Sequence, residues 1–213
     1  MTGIAVRLTI IAISIALLVW ASAKRGAGDL TMAYVHAGIA AATALGLAIL
    51  GVLATRAVIA AGASRSAVGA SKAREMGLVW AWAALAILAT YGTATATWKE
   101  WLSFFAPFAL IAAGCLWFSR TLMRDAARGV DDAALLQVSR YMAIGQLVGM
   151  IVTMIGLVVD GKMVRFLAPR KGWEDWPANN YFFFGALALA ILSLHALRAQ
   201  SRLAPGRGSS PAT

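Results

Sequence analysis

Two histidines, His36 and His195, are the residues of this sequence best suited to hold a metal or a haem. A haem inside a membrane would need one imidazole from each of two facing helices at the same depth. His36 lies near the start of one apolar segment and His195 near the end of another, so at about 1.5 Å per residue most of a bilayer separates them. We therefore predict no shared haem, no other cofactor and no metal site.

A second group of polar residues could line a path across a membrane. Thr90, Thr93 and Thr97 are spaced i, i+3 and i+7, which places their hydroxyls on one helix face. His36 and Gln146, on two other apolar segments, could complete such a path. Alternatively, the hydroxyls bond to their own helix backbone and the Gln146 amide bonds to a neighbouring helix. The sequence leaves both interpretations open.

The remaining polar residues do not form a catalytic set. Ser193 and His195 are two positions apart, so on a helix they face different directions and make a poor nucleophile and base. The acidic segment 125–132 matches no metal or phosphate motif, and we interpret it as a loop in which Asp131 caps the next helix. Cys115 is the single cysteine, which excludes an internal disulfide. We predict that the protein is not an enzyme.

The elements that carry these residues follow from composition. Of 213 residues, 61% are hydrophobic and 13% charged, against about 25% charged in soluble proteins, which excludes an ordinary soluble domain. A bilayer core about 30 Å thick requires about 20 apolar helical residues. Six windows contain no charged residue: 8–23, 30–55, 76–98, 101–119, 141–159 and 176–197. They predict an all-α integral membrane protein with six transmembrane helices, at approximately 4–23, 31–55, 76–98, 101–119, 140–160 and 177–197.

The spans are predicted to form one polytopic domain, 1–203, arranged as three helical hairpins, before a disordered cytoplasmic tail, 204–213. When the connections are assigned alternately to two sides, twelve Lys and Arg residues fall on one side and seven on the other. Because basic residues resist transfer, we expect the richer side, with both termini, to be cytoplasmic in a bacterial inner membrane. Residues 1–23 are also compatible with a cleaved signal peptide.

Small residues form two helix faces that suit close packing. Such faces let backbones approach where lipid removes the hydrophobic driving force between helices. They consist of Gly38, Ala42 and Gly46 on the second span, and Gly145, Gly149 and Thr153 on the fifth. We expect both faces to specify helix packing, either within one chain or between subunits.

The net charge of +10 is carried by residues that border the spans. This arrangement favours anionic lipid head groups over nucleic acid as partner. The connection 62–72 is small, polar and basic, so we expect it to be flexible. Without an apparent catalytic motif, we predict a non-catalytic accessory, assembly or structural subunit of a membrane complex, with a membrane protein or a second copy as partner. The alternative is a small transporter or channel whose polar path is lined by the third and fifth spans.

Overall fold

A computed structural model describes residues 2–24, 30–91, 98–159 and 176–203. These ranges contain six α-helices: α1 (Thr2–Lys24), α2 (Leu30–Ala60), α3 (Arg65–Tyr91), α4 (Trp98–Ala127), α5 (Ala133–Val159) and α6 (Trp176–Leu203). All six are long and apolar enough to cross a membrane. The predicted fold class, an all-α membrane bundle of six helices, is confirmed.

The helices exceed the thickness of a bilayer core. The 23 residues of α1 extend about 34 Å and the 31 residues of α2 about 46 Å. We call the end of the bundle at which α1 begins and α6 ends the terminal end, and the opposite end the distal end. Residues 92–97, 160–175 and 204–213, which include Thr93, Thr97 and the expected tail, lie outside the described residues.

The connection between α2 and α3 is much shorter than the sequence suggested. The expectation of a flexible segment over 62–72 is wrong, because α3 already begins at Arg65. Gly62 has φ 66°, a left-handed conformation that glycine adopts without steric cost, and the amide of Ala63 bonds to the carbonyl of Val58 across the helix end. Ala-rich sequence and tertiary contacts then continue α3 through its polar first turns.

The turn between α4 and α5 is held by two aspartates with separate roles. Asp132 caps α5, since its Oδ1 accepts the Ala134 amide at 2.8 Å. Asp131, expected to be that cap, instead accepts the Ser66 amide at 3.0 Å and so caps α3 from another loop. The sequence could not show which of these two adjacent aspartates caps α5, because the role of Asp131 depends on where α3 begins.

Sequential helices pair as the three predicted hairpins, and α3 is the central helix that contacts the other five. Trp82 of α3 is fully buried among the core residues of α1, α2 and α6. By contrast, α5 packs mainly on α6 and exposes many large apolar side chains, among them Ile144, Val148 and Val152. In a membrane this surface meets lipid or another chain.

Candidate functional site: three polar layers in the bundle core

Polar side chains of the core are grouped in three layers about two helical turns apart. The charged layer contains Arg7 and Glu75, the hydroxyl layer contains Ser14, Thr43 and Trp82, and the histidine layer contains His36, Thr90 and Tyr181. Arg7 and Ser14 are seven positions apart, as are Glu75 and Trp82, and at about 1.5 Å per residue the layers are about 10 Å apart. The three layers together extend over about 22 Å of α3.

The charged layer is a buried ion pair close to the terminal end. Arg7 Nε donates to Glu75 Oε2 at 2.6 Å, and the two side chains are 6% and 2% exposed. The remaining nitrogens of Arg7 donate to the carbonyls of Leu50 at 2.8 Å and Gly3 at 2.5 Å. Arg74 adds two donors to Glu75 Oε1, at 2.9 and 3.1 Å. This set of partners offsets the desolvation cost that makes an incompletely bonded buried charge destabilising.

Lys72 is a third charged group buried in the same half of the bundle. Its side chain is 4% exposed, and its ammonium donates to the carbonyl of Ala196 on α6 at 2.6 Å. The bond joins α3 to α6 one helical turn from Glu75. The charges of the core are therefore bonded to carbonyls and to one carboxylate.

The predicted third span, 76–98, begins one residue after Glu75. In the structure, the part of α3 that is long and apolar enough to cross a membrane extends from Arg65 to Thr90, and Glu75 lies ten positions inside it. The sequence placed it at a span border because Lys72 and Arg74 interrupt the apolar window. One pattern could have revealed the site: Arg7 lies within the first predicted span and requires a buried acceptor.

The hydroxyl layer joins three helices through small donors and acceptors. Trp82 Nε1 donates to Ser14 Oγ at 3.2 Å, and the hydroxyls of Ser14 and Thr43 lie 2.8 Å apart. Thr43 also bonds to the carbonyl of Ile39 in its own helix at 2.8 Å. Trp82 is thus an apolar core residue whose single polar atom is satisfied, as a buried indole requires.

The histidine layer lies toward the distal end. His36 Nε2 and the Tyr181 hydroxyl share a 2.6 Å hydrogen bond, and the two residues are 2% and 1% exposed. Thr90 donates to the carbonyl of Ala86 at 2.7 Å, and a further bond joins it to Tyr181. The Tyr181 ring also meets Trp82 edge-on, with centroids 6.0 Å apart. Sequence analysis missed Tyr181 because it lies among aromatic residues typical of a membrane interface.

Packed apolar side chains separate the layers. Ile11, Leu47 and Val79 occupy the level between the charged and hydroxyl layers, and all are at most 5% exposed. Among the described residues, the hydrogen bonds of one layer do not continue into the next. Each layer therefore fixes the register of the three helices that it joins, as interhelical hydrogen bonds do in membranes. The charged and hydroxyl layers join α1, α2 and α3, and the histidine layer joins α2, α3 and α6.

The residues of the predicted polar path do not assemble as one group in the described structure. His36 and Thr90 meet through Tyr181. Gln146 lies on the peripheral helix α5, where its buried Nε2 has no hydrogen-bond partner among the described residues. His195 is half-buried near the terminal end, far from His36 as expected. The described residues contain no cluster of three potential metal ligands.

The predicted small-residue faces lack close neighbours within the chain. A Cβ added at Gly38, Gly46, Gly145 or Gly149 would meet no heavy atom of the described residues within 4 Å. Ala42 is exposed, and the Thr153 hydroxyl donates to the carbonyl of Gly149 in its own helix at 2.8 Å.

The close approaches instead occur at glycines that sequence analysis did not select. A Cβ added at Gly51 would lie 2.8 Å from Leu192, and one at Gly77 would lie 3.0 Å from Leu116. These two positions let α2 approach α6 and α3 approach α4. The packing faces predicted from spacing remain candidates for contacts outside the chain.

At the terminal end, Asp131 is the polar contact between the α4–α5 turn and α3. Partial burial alone would raise the pKa of Asp131, but hydrogen bonds from Ser66 and the ion pair with Arg65 outweigh it, so the pKa lies below its ordinary value. Asp131 Oδ2 lies 3.2 Å from Arg65 Nε. Its carboxylate form therefore stabilises the folded bundle.

No protein-family model matches this chain, and no curated protein or solved structure is significantly similar to it. Its own geometry therefore supplies the evidence on function.

Proposed function

We propose that the protein is a non-catalytic subunit of a membrane complex, in an accessory, assembly or structural role. The observation that carries this proposal is the uncovered small-residue face of α5, formed by Gly145 and Gly149. A face of this kind associates with another helix because the absence of side chains brings two backbones into van der Waals contact. Within the chain this face has no close neighbour among the described residues. We therefore propose that the partner of this face is a second chain.

The three polar layers of the core support the same proposal. The buried charges and hydroxyls of the three layers bond to one another or to carbonyls, and apolar side chains fill the levels between them. This arrangement is typical of a scaffold whose polar groups specify helix register. Catalysis would need a nucleophile and a base that face a substrate-sized space.

We infer a cytoplasmic location for both termini in a bacterial inner membrane. The support is the concentration of arginine at the terminal end of the described bundle, in agreement with the positive-inside rule. Reporter fusions after Arg128 and Arg202 should read as cytoplasmic. An external reading after Arg128 would contradict this orientation.

Co-purification from native membranes in mild detergent tests the subunit proposal. Wild-type protein should carry a stoichiometric partner, either another membrane protein or a second copy. Gly149→Leu should release that partner, because the added side chain keeps the helices apart. Gly114→Leu is the matched control, since Gly114 of α4 also has no described neighbour within 4 Å of an added Cβ. Equal retention of the partner by both variants would contradict the proposal.

A small transporter or channel is the second candidate, and the buried pair Arg7–Glu75 is the observation that favours it. Ionisable residues within membrane spans often mark ion pathways. The three polar layers also cover most of the thickness of a bilayer core. We rank this candidate second because packed apolar side chains lie between the layers, and a polar path would require those side chains to move apart.

Liposome reconstitution tests the transport candidate. Proton influx under an imposed pH gradient can be followed with an entrapped pH-sensitive dye. A transporter would exceed protein-free liposomes and would lose this influx in Thr90→Val, a change that keeps the shape of the side chain. Influx equal to that of protein-free liposomes would remove support for proton transport.

A further inference from the structure

An open groove of about 960 Å³ lies at the terminal end between α3, α5 and α6. Its volume is at the upper end of the range of about 300–1,000 Å³ found for small-molecule sites. Arg65 and Arg140 line it together with apolar side chains that include Leu136, Ile144 and Leu197. None of the residues that line it belongs to the three polar layers.

The two arginines differ in their capacity to bind an anion. Arg65 pairs with Asp131, which neutralises part of its charge. Arg140 is exposed and takes part in none of the ion pairs among the described residues. Arg140 is therefore the main cationic group of the groove.

Arg140 lies beside apolar residues that continue toward the bilayer centre. Arg65 is the first residue of α3 and lies at the terminal end, whereas Ile144 lies one helical turn beyond Arg140 toward the bilayer centre. Ile144 also continues into the exposed apolar surface of α5, beside Val148. The groove thus places the cationic Arg140 next to an apolar wall, formed by Ile144 and Val148, on its bilayer side.

We propose that this groove binds an anionic phospholipid of the adjacent leaflet, with its phosphate at Arg140 and one acyl chain along Ile144 and the exposed apolar surface of α5 beside Val148. Arginine binds phosphate through paired N–H donors, and basic pockets between transmembrane helices suit anionic head groups. The apolar wall contributes because an acyl chain covers it while remaining continuous with the bilayer. A soluble phosphate would leave that wall uncovered.

Native mass spectrometry of the full-length protein tests the proposal with phosphatidylglycerol and phosphatidylcholine of identical acyl chains. Wild type should bind phosphatidylglycerol several-fold more tightly. Arg140→Gln should weaken phosphatidylglycerol binding about fivefold and phosphatidylcholine binding less, because the choline ammonium neutralises the charge of its phosphate. Arg120→Gln is the matched control, because Arg120 is an exposed arginine of α4 outside the groove.

The apolar part of the site is tested separately with Ile144→Trp, which fills the groove. This variant should weaken the binding of both lipids while thermal stability in lipid-free detergent stays near that of wild type. Glycerol phosphate, a head group without acyl chains, should not compete at equal concentration. Competition by glycerol phosphate, an equal loss in Arg120→Gln, or unchanged lipid binding in both groove variants would overturn the proposal. Displacement of lipid by a co-purifying polypeptide would assign the groove to a protein instead.

Discussion

Removal of Glu75 should be among the most destabilising single changes in the bundle core. Glu75→Ala leaves the Arg7 guanidinium, 6% exposed, without its carboxylate. Breaking a buried pair by removing one partner costs about 3–5 kcal/mol, since the remaining charge is desolvated without compensation. Two carbonyls still accept from Arg7 and Arg74 remains half-exposed, so we expect the lower part of that range, about 3 kcal/mol.

The double variant Arg7→Met/Glu75→Leu separates the cost of an unpaired charge from the value of the pair. Replacement of both partners by apolar residues of similar size is often nearly neutral. We therefore expect the double variant to recover most of the stability that Glu75→Ala loses. The exposed pair Arg65–Asp131 is the control, and its disruption by Arg65→Gln, which leaves the Asp131 cap of α3 in place, should cost at most about 1 kcal/mol.

Unfolding in mixed micelles with increasing SDS, followed by tryptophan fluorescence, measures these differences. The expected order of stability is wild type, then the double variant, then Glu75→Ala. A loss below about 1 kcal/mol in Glu75→Ala would refute the reasoning, because it would mean that water reaches Arg7. A double variant less stable than Glu75→Ala would show that the pair itself, rather than the avoidance of a lone charge, stabilises the bundle.

Three further changes test other parts of the structure. Gly77→Ala should destabilise the bundle by about 1–3 kcal/mol because its Cβ would lie 3.0 Å from Leu116. Gly145→Ala should be neutral or stabilising by up to about 1 kcal/mol, because its Cβ meets no described neighbour and alanine favours the helix. SDS unfolding measures both changes. Tyr181→Phe removes the 2.6 Å bond to His36 and should cost about 1–3 kcal/mol in the same assay. The stability that the Asp131 carboxylate provides is present above its unfolded-state pKa of about 4 and is lost as the pH falls through its lower folded-state pKa. Thermal unfolding measured across this pH range should therefore show a smaller acid-dependent loss of stability in Asp131→Asn than in wild type.

The sequence was sufficient for the number of helices and their pairing, because each span rests on a long apolar window. It was insufficient for the start of α3. Lys72, Arg74 and Glu75 resemble a solvated loop in composition, and only the approach of Arg7 and of the Ala196 carbonyl makes their burial favourable. Charges that find partners in distant helices cannot be distinguished from exposed charges by local pattern.

The glycine positions show a similar limit. Spacing selected Gly145 and Gly149, which have no close neighbour within the described chain, and passed over Gly51 and Gly77, where helices approach closely. A regular stripe of small residues shows that a helix face could pack closely against another helix. Which face meets a helix of the same chain depends on the arrangement of all six.

Cysteine cross-linking at position 149 tests the proposed subunit role most directly. In a Cys115→Ser background, Gly149→Cys is labelled in native membranes with a short thiol-reactive photo-cross-linker, irradiated and compared with Gly114→Cys on α4. The proposal predicts one discrete cross-linked species of defined mass at 149, identified by mass spectrometry, and little product at 114. Equal, diffuse labelling at both positions, without a discrete species, would mean that the α5 face meets lipid and would contradict the proposal.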